Sequence, residues 1–268
     1  MARELLESQQ PYTQRFFYES GDAETAVQDF FNVGLKEAQP LLKAISLSRI
    51  VKPTSIPYSN VWVKSIYEDS PNVEHYSEPV IGAFSVAFGI KEDEWNTITH
   101  SDALEIAKLW DSLSFFLNDK NEPAYRRIVR ALKTFELAHA IYFAEMRHPI
   151  FHAALESLIC AGHKDNKLQV TQRLTQLVPF ISLQQAEGIY LLRCDLIHAA
   201  QAVFQNTPIP GVVDLDNQRR IDAVNLLHKA VRHLLLESLK DRSLADTLAN
   251  EDKLRQTYQV LDSKGKLI

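Results

Sequence analysis

The chain has 268 residues and a formal net charge of −5, with 46% hydrophobic and 24% charged residues, a composition typical of a globular protein. Two Cys and eight Gly argue against a disulfide-linked scaffold, a structural zinc module and the Gly-rich loops that bind nucleotide phosphates. The apolar runs are shorter than the ~18 residues of a transmembrane helix, and the first residues lack a secretion signal. We therefore expect a cytoplasmic protein without membrane association.

The first 97 residues are predicted to form a small mixed α/β region. A helical pattern extends over residues 23–45 and is kinked or broken at Pro40. Residues 61–66 and 80–88 are rich in β-branched and aromatic side chains and predict two strands. We treat residues 1–97 as a separate region and assign it no role.

The rest of the chain has a helical pattern, so the predicted fold class is mainly α. We expect an antiparallel helical bundle over residues 98–242 and a helical extension over residues 243–268. Wide apolar faces on several of these helices favour a homodimer. Helices are predicted over residues 101–117, 123–146, 149–161, 166–178, 182–204 and 218–239, with a short last helix from residue 243.

Capping residues and prolines set the expected helix ends. The Ser101-Asp102 pair is predicted to cap the first bundle helix, and Ser182 with Gln185 forms a capping-box pattern. Pro123 suits the first turn of its helix. Pro149 is predicted to end one helix and start the next, because proline cannot donate a backbone hydrogen bond.

Charge is distributed unevenly along the chain. Residues 67–94 carry seven acidic side chains against one lysine, whereas residues 126–133 carry four basic side chains and no acid. This pattern predicts a basic helix face that could attract an anionic ligand, and Arg126, Arg127 and Arg130 are its candidate contacts. The alternative is an ordinary solvated helix surface.

Short metal-site patterns also occur, but we predict no metal and no cofactor. Glu136 with His139 and Glu145 with His148 each match the E-x-x-H unit of di-metal bundles. The two units are nine residues apart, which places them on opposite faces of one helix. Cys160 lies in an apolar segment and is expected to be buried.

The segment 190–198, Tyr-Leu-Leu-Arg-Cys-Asp-Leu-Ile-His, carries the strongest functional signal. Asp195 and His198 are three residues apart on one helix, so the carboxylate can orient the imidazole. Arg193 lies about 140° from His198 around the helix axis, and both can border one cleft. An imidazole can move protons near neutral pH, and a guanidinium can hold a phosphate. The alternative is a set of surface ion pairs and a bundle histidine.

The arrangement of these residues resembles the HEPN family (higher eukaryotes and prokaryotes nucleotide-binding), whose hallmark is R-x4–6-H late in a helical bundle. The resemblance is closest to the ApeA-like branch and covers about residues 101–240. Two departures are Cys194 directly after the Arg, where a polar residue is common, and Ala199 directly after the His, where Gly is common. The segments that carry the resemblance are residues 135–140, 151–159, 172–177, 190–198 and 221–239.

The resemblance implies a dimeric, metal-independent endoribonuclease in which two motifs meet across a symmetric interface. Arg193 would bind the scissile phosphate, His198 would be the general acid/base assisted by Asp195, and the 2′-OH of the RNA would attack. Tyr190 and the basic segment 126–130 would contact substrate. Many relatives act in anti-phage defence, abortive infection or as toxins, with an operon-encoded or phage-encoded regulator.

Two alternatives to a nuclease remain open. The first is a non-catalytic HEPN module for dimerisation or for binding nucleotides or RNA, in which Arg193 and His198 would be satisfied within one protomer or separated from any cleft. The second is an unrelated helical protein that binds another protein or a small metabolite in an apolar pocket.

Overall fold

The computed structural model describes residues 40, 42–52, 63–64, 74–75, 98–141, 144–162, 164–198, 215–262 and 264–267, which fall into two compact units. One unit contains two short antiparallel strands, β1 (Val63–Lys64) and β2 (Glu74–His75). Strand β1 lies inside the strand predicted over 61–66. The strand predicted over 80–88 and most of the helix predicted over 23–45 lie outside the described residues.

The other unit is helical, which confirms a mainly α fold for the described part of the chain. No helix in that part is long and apolar enough to span a membrane. Residues 42–51 form α1. The helices that follow are α2 (His100–Phe116), α3 (Glu122–Ala140), α4 (Ala144–Ile159), α5 (Asn166–Leu177), α6 (Leu183–His198), α7 (Leu215–Lys240), α8 (Arg242–Ala249) and α9 (Glu251–Thr257).

Local capping explains where α2 and α6 begin. The predicted capping box before α6 is confirmed: the Ser182 N–H donates to Gln185 Oε1 (2.9 Å), and the Gln185 N–H donates to Ser182 Oγ (3.2 Å). At α2 the predicted cap is wrong by two positions. Thr99 is the N-cap, and Asp102 occupies the third helical position, where its carboxylate accepts from the Thr99 N–H at 2.8 Å.

The predicted break at Pro149 is also wrong. Helix α3 ends at Ala140, and Pro149 lies inside α4. The chain turns instead at Ile141, which has an extended backbone and whose carbonyl accepts a hydrogen bond from Arg147 Nε (2.5 Å). Proline costs α4 one backbone hydrogen bond, and α4 persists because α3, α5, α6 and α7 all pack against it.

The hydrophobic core surrounds α4, with Phe135, Phe151 and Leu155 fully buried. Leu47 and Ile50 of α1 belong to the same core, so α1 packs with the bundle although the predicted boundary at residue 97 would separate them. Helix α8 also adds a buried residue, Ala245, to this core. The bundle therefore includes segments on both sides of the predicted limits of 98 and 242.

Candidate functional site at the contact between α4 and α6

Helix α6 buries one side, and the predicted site residues lie on different sides of it. Ala186 and Ile189 are buried against the bundle, whereas Leu191 and Asp195 are exposed. Arg193 follows Ala186 and Ile189 around the helix and faces α4. At ~100° per residue, Arg193 and Asp195 point about 160° apart. The structure therefore does not bring these two predicted site residues together on one face.

Arg193 is partly exposed and loosely held. Its side chain is 29% accessible, and Nη2 lies 3.9 Å from Oε1 of Glu156 on α4. Its Cζ lies 5.9 Å from the ring centroid of Tyr190, one turn earlier on α6. A charge-assisted hydrogen bond would be about 2.8 Å long. In the described part of the chain, Arg193 thus has one ion pair, and that pair is not a hydrogen bond.

The same Glu156 oxygen also faces a histidine. His152 Nδ1 lies 3.6 Å from Glu156 Oε1, and the His152 ring packs edge-on against Tyr190 at 5.6 Å between centroids. The next ring along α4 is that of His148, 6.2 Å from His152. We call His148, His152, Glu156, Tyr190 and Arg193 the α4–α6 cluster.

The two histidines of this cluster are completely buried, and none of their four ring nitrogens has a hydrogen-bond partner among the described residues. Burial lowers the pKa of His148 to about 3, and the positive charge of Arg193 lowers it further. Burial also lowers the pKa of His152 to about 3, assisted by His148 and Arg193. Both rings are consequently neutral at pH 7. Burial raises the pKa of Tyr190, so its hydroxyl keeps its proton.

His198 is the last residue of α6, and its side chain lies outside the described residues, as does Ala199. Asp195 is exposed three residues earlier on the same helix. The predicted hydrogen bond between this carboxylate and the imidazole therefore stays a prediction. Cys194, between Arg193 and Asp195, is a free thiol of intermediate burial.

The basic segment of α3 divides into outward and inward arginines. Arg126 and Arg130 are exposed and line a surface groove together with Lys133, which is paired with Glu122 at 2.8 Å. Arg127 turns inward. This difference follows from helical geometry. Arg126 and Arg130 are four residues apart and share one helix face, whereas Arg127 lies on a different face.

Arg127 caps the carboxyl end of α4, and its predicted contact with substrate stays a prediction. Its Nη2 donates to the carbonyls of Leu158 (3.0 Å) and Cys160 (2.7 Å), which lie at the carboxyl end of α4. Those carbonyls have no partner within the helix, so the guanidinium satisfies them and complements the helix dipole. Burial lowers the pKa of Arg127, and the ion pair with Glu251 opposes this effect.

The E-x-x-H pattern at Glu136 and His139 lies in the core. Glu136 forms an ion pair with Arg49, and His139 Nδ1 lies 2.8 Å from the Phe135 carbonyl. The described residues contain no group of three or more His, Cys, Asp or Glu side chains arranged to hold a metal ion. Cys160 is buried as predicted, and burial raises the pKa of its thiol to about 12.

Sequence reasoning missed Glu156 and the two buried histidines as members of the site. The signal was present, since residues 148, 152 and 156 recur every four positions and therefore share one helix face. The expected break at Pro149 concealed this register. Because α4 continues through Pro149, the three side chains form one stripe opposite α6.

Comparison of the chain with protein-family models, with curated proteins and with solved structures finds no match. The resemblance to the HEPN family accordingly rests on the residues of the motif and their order along the chain. The geometry at Arg193 is the basis on which a function can be argued.

Proposed function

We propose that this protein is a metal-independent endoribonuclease of the HEPN type that acts as a homodimer. The observation that carries the proposal is the state of Arg193: its guanidinium is 29% accessible and is held by one ion pair of 3.9 Å. A cation held this loosely keeps its hydrogen-bond donors available for a phosphate. His198 ends the same helix, five residues further on.

In the proposed reaction the 2′-OH of the RNA attacks the adjacent phosphorus, and the 5′-oxygen of the next nucleotide leaves. His198 removes the proton from the 2′-OH or protonates the leaving oxygen. Arg193 binds the non-bridging phosphate oxygens and stabilises their developing negative charge. The products are a 2′,3′-cyclic phosphate and a 5′-hydroxyl, and no redox change or external co-reactant is needed.

A second copy of the chain suits the offset of about 140° between Arg193 and His198 on one helix, because each protomer then need not complete the site alone. Three large apolar side chains of α6 support association: Leu183, Leu191 and Ile197 are 53%, 50% and 47% exposed. Apolar surface of this kind is stabilised when it is buried between subunits. In such a dimer, Arg193 of one protomer and His198 of its partner could border one cleft.

The exposed basic side chains of α3 are proposed to guide the RNA backbone. Arg126 and Arg130 form no ion pair within the described residues, so their charges are available to phosphates. Contacts of this kind increase affinity without reading the base sequence, and they weaken as salt concentration rises.

The proposed biological setting is the cytoplasm, in anti-phage defence, abortive infection or a toxin-like role. This part of the proposal rests on the family resemblance. A nuclease of this kind must be held inactive until needed, which suggests an operon-encoded or phage-encoded regulator.

The second candidate function is a non-catalytic HEPN module for dimerisation or for binding nucleotides or RNA. The ion pair of Arg193 with Glu156 favours it, because the pair lies within one protomer. The departures at Cys194 and Ala199 point the same way. This candidate predicts RNA binding or dimerisation without cleavage.

The test is incubation of the purified full chain with structured RNA, with and without EDTA. We expect cleavage that resists EDTA and disappears in Arg193→Ala and His198→Ala. Matched controls are Lys167→Ala and His100→Ala, which change exposed side chains on α5 and α2. Intact RNA in all samples, with RNA still bound, would favour the non-catalytic module. Equal cleavage by His198→Ala would contradict the proposed mechanism.

A further inference from the structure

One carboxylate oxygen of Glu156, Oε1, has two neighbouring side chains on different sides. Arg193 Nη2 lies 3.9 Å from it on the α6 side, and His152 Nδ1 lies 3.6 Å from it on the α4 side. This oxygen is buried and forms no hydrogen bond among the described residues. Arg193 and His152 therefore compete for one buried acceptor, and neither is within hydrogen-bond distance of it.

Arg193 and His152 differ in whether they can interact with anything other than Glu156. Arg193 is 29% accessible and can turn toward solvent, whereas the His152 side chain is completely buried. Neither ring nitrogen of His152 has another partner in the described part of the chain. A buried polar group without a partner costs free energy. If Arg193 moves away, Glu156 and His152 can each satisfy the other.

We propose that Glu156 is a positioning residue that holds Arg193 until an RNA phosphate binds, and that Glu156 then transfers its interaction to His152. The inference rests on the proposed function for its ligand, the phosphate backbone of RNA. The exchange itself does not depend on the proposed function, because any removal of Arg193 from Glu156 should cause it. In this arrangement the free protein keeps Arg193 withdrawn toward α4.

The exchange involves one proton. In the free protein Arg193 is positive, Glu156 is negative and His152 is neutral. When a phosphate neutralises Arg193, His152 takes one proton from solvent, and a His152–Glu156 ion pair replaces the earlier pair. Among the described residues, the titratable or charged groups that face His152 are His148 and Glu156 from α4 and Arg193 and Tyr190 from α6.

The exchange can be tested without RNA by measuring ring-nitrogen chemical shifts of His152 by NMR at pH 5.0, with His152→Gln used for assignment. We expect Arg193→Gln to increase the protonated fraction of His152 about tenfold, which corresponds to one pH unit in pKa. The matched control Glu187→Gln removes an exposed carboxylate from α6 and should leave this fraction unchanged.

Loss of a nearby positive charge would by itself favour protonation, so a double variant separates the two explanations. If Glu156 accepts the released interaction, Arg193→Gln combined with Glu156→Gln should lose most of the increase. An increase of the same size in the double variant would overturn the exchange. Should the double variant fail to fold, Glu156→Asp withdraws the carboxylate by one methylene, and it should also reduce the increase.

A second experiment adds RNA that cannot be cleaved because its 2′-OH groups are methylated. In the wild-type protein, binding should raise the protonated fraction of His152; in Glu156→Gln it should not. Glu156→Gln should also bind this RNA about three- to tenfold more tightly than Glu187→Gln, because the phosphate no longer competes with a carboxylate. Equal affinities would overturn the holding role of Glu156.

The two experiments distinguish failure of the inference from failure of the proposed function. If RNA neither binds nor is cleaved but Arg193→Gln protonates His152 through Glu156, the exchange stands and RNA is the wrong ligand. If RNA is cleaved through Arg193 and His198 but His152 does not respond, the nuclease stands and the exchange is wrong.

Discussion

The bundle contains two clusters that each include one Arg, one Glu and two His, in different surroundings; the α4–α6 cluster also includes Tyr190. The core cluster comprises Arg49, Glu136, His139 and His228. Arg49 is 1% exposed and in close contact with Glu136, and the His139 and His228 rings pack against Phe135 and Phe151. The α4–α6 cluster instead has an Arg that is 29% exposed and 3.9 Å from its Glu.

The comparison shows that the composition of a polar cluster does not determine its role. Removing one partner of a pair whose cation is buried leaves a buried charge with less compensation. A partly open pair can exchange partners with solvent or a ligand at little cost. The core cluster is accordingly structural, and the α4–α6 cluster is the one suited to binding.

The largest effect should come from breaking the enclosed pair. Glu136→Ala removes the carboxylate that is in ion-pair contact with the buried Arg49 guanidinium, and we expect a loss of about 3–5 kcal/mol in the free energy of unfolding. Urea unfolding followed by circular dichroism measures this loss. A change below 1 kcal/mol would remove the distinction between the two clusters.

The open cluster should show its largest effect in activity. Arg193→Lys keeps the charge but loses the planar, two-pronged donor geometry, so we expect cleavage to fall by about 100-fold with the unfolding free energy nearly unchanged. Initial rates on a labelled RNA, with Lys167→Arg as the control, provide the measurement. A lysine variant as active as wild type would show that a point charge is sufficient.

Two neighbouring arginines of α3 repeat the contrast between enclosed and open cations. Arg127→Ala removes both hydrogen bonds to the α4 carbonyls and should cost about 2–3 kcal/mol of stability. Arg126→Ala should change stability by less than about 0.5 kcal/mol. It should instead weaken RNA binding and reduce its salt dependence, as measured by titrations at several salt concentrations.

Both clusters should make the protein sensitive to acid. Burial lowers the pKa of His148, His152 and His228 to about 3, below the usual value near 6.5. The unfolded chain therefore binds more protons than the folded one between these values, and stability falls as pH drops below about 6.5. We expect a loss of about 2 kcal/mol per histidine at pH 5.

A single substitution tests this acid sensitivity. His228→Phe should reduce the difference in unfolding free energy between pH 7.5 and pH 5.0 by about 2 kcal/mol, the contribution of one histidine. The phenylalanine ring does not titrate and can still stack on Phe135. His100→Phe, at an exposed position, should leave the difference unchanged. Equal acid sensitivity in wild type and His228→Phe would contradict the assignment of a buried neutral ring.

Between the two clusters, the smaller effect on stability should come from Glu156→Gln. Because the pair with Arg193 is long and partly solvated, we expect a loss below about 1 kcal/mol in the free energy of unfolding. Comparison with Glu136→Ala under identical conditions gives the sharpest contrast between the clusters. A loss as large as that of Glu136→Ala would show that the α4–α6 cluster is structural too.

The features that the sequence by itself determines are local. Helix α5 was predicted over 166–178 and runs over Asn166–Leu177, and the Ser182–Gln185 capping box is present as predicted. Both follow from hydrogen bonds and apolar spacing within a few residues, which any chain segment carries with it.

The tertiary structure alone decided the rest, because those features depend on which helices pack together. Proline weakens a helix locally, but packing around α4 kept Pro149 inside it and aligned His152 with Glu156. Whether an arginine is free or engaged is set by the carbonyls and carboxylates of a neighbouring helix. That is why Arg127 caps α4 while Arg126 faces solvent, and why the partner of Arg193 lies 37 positions away in sequence.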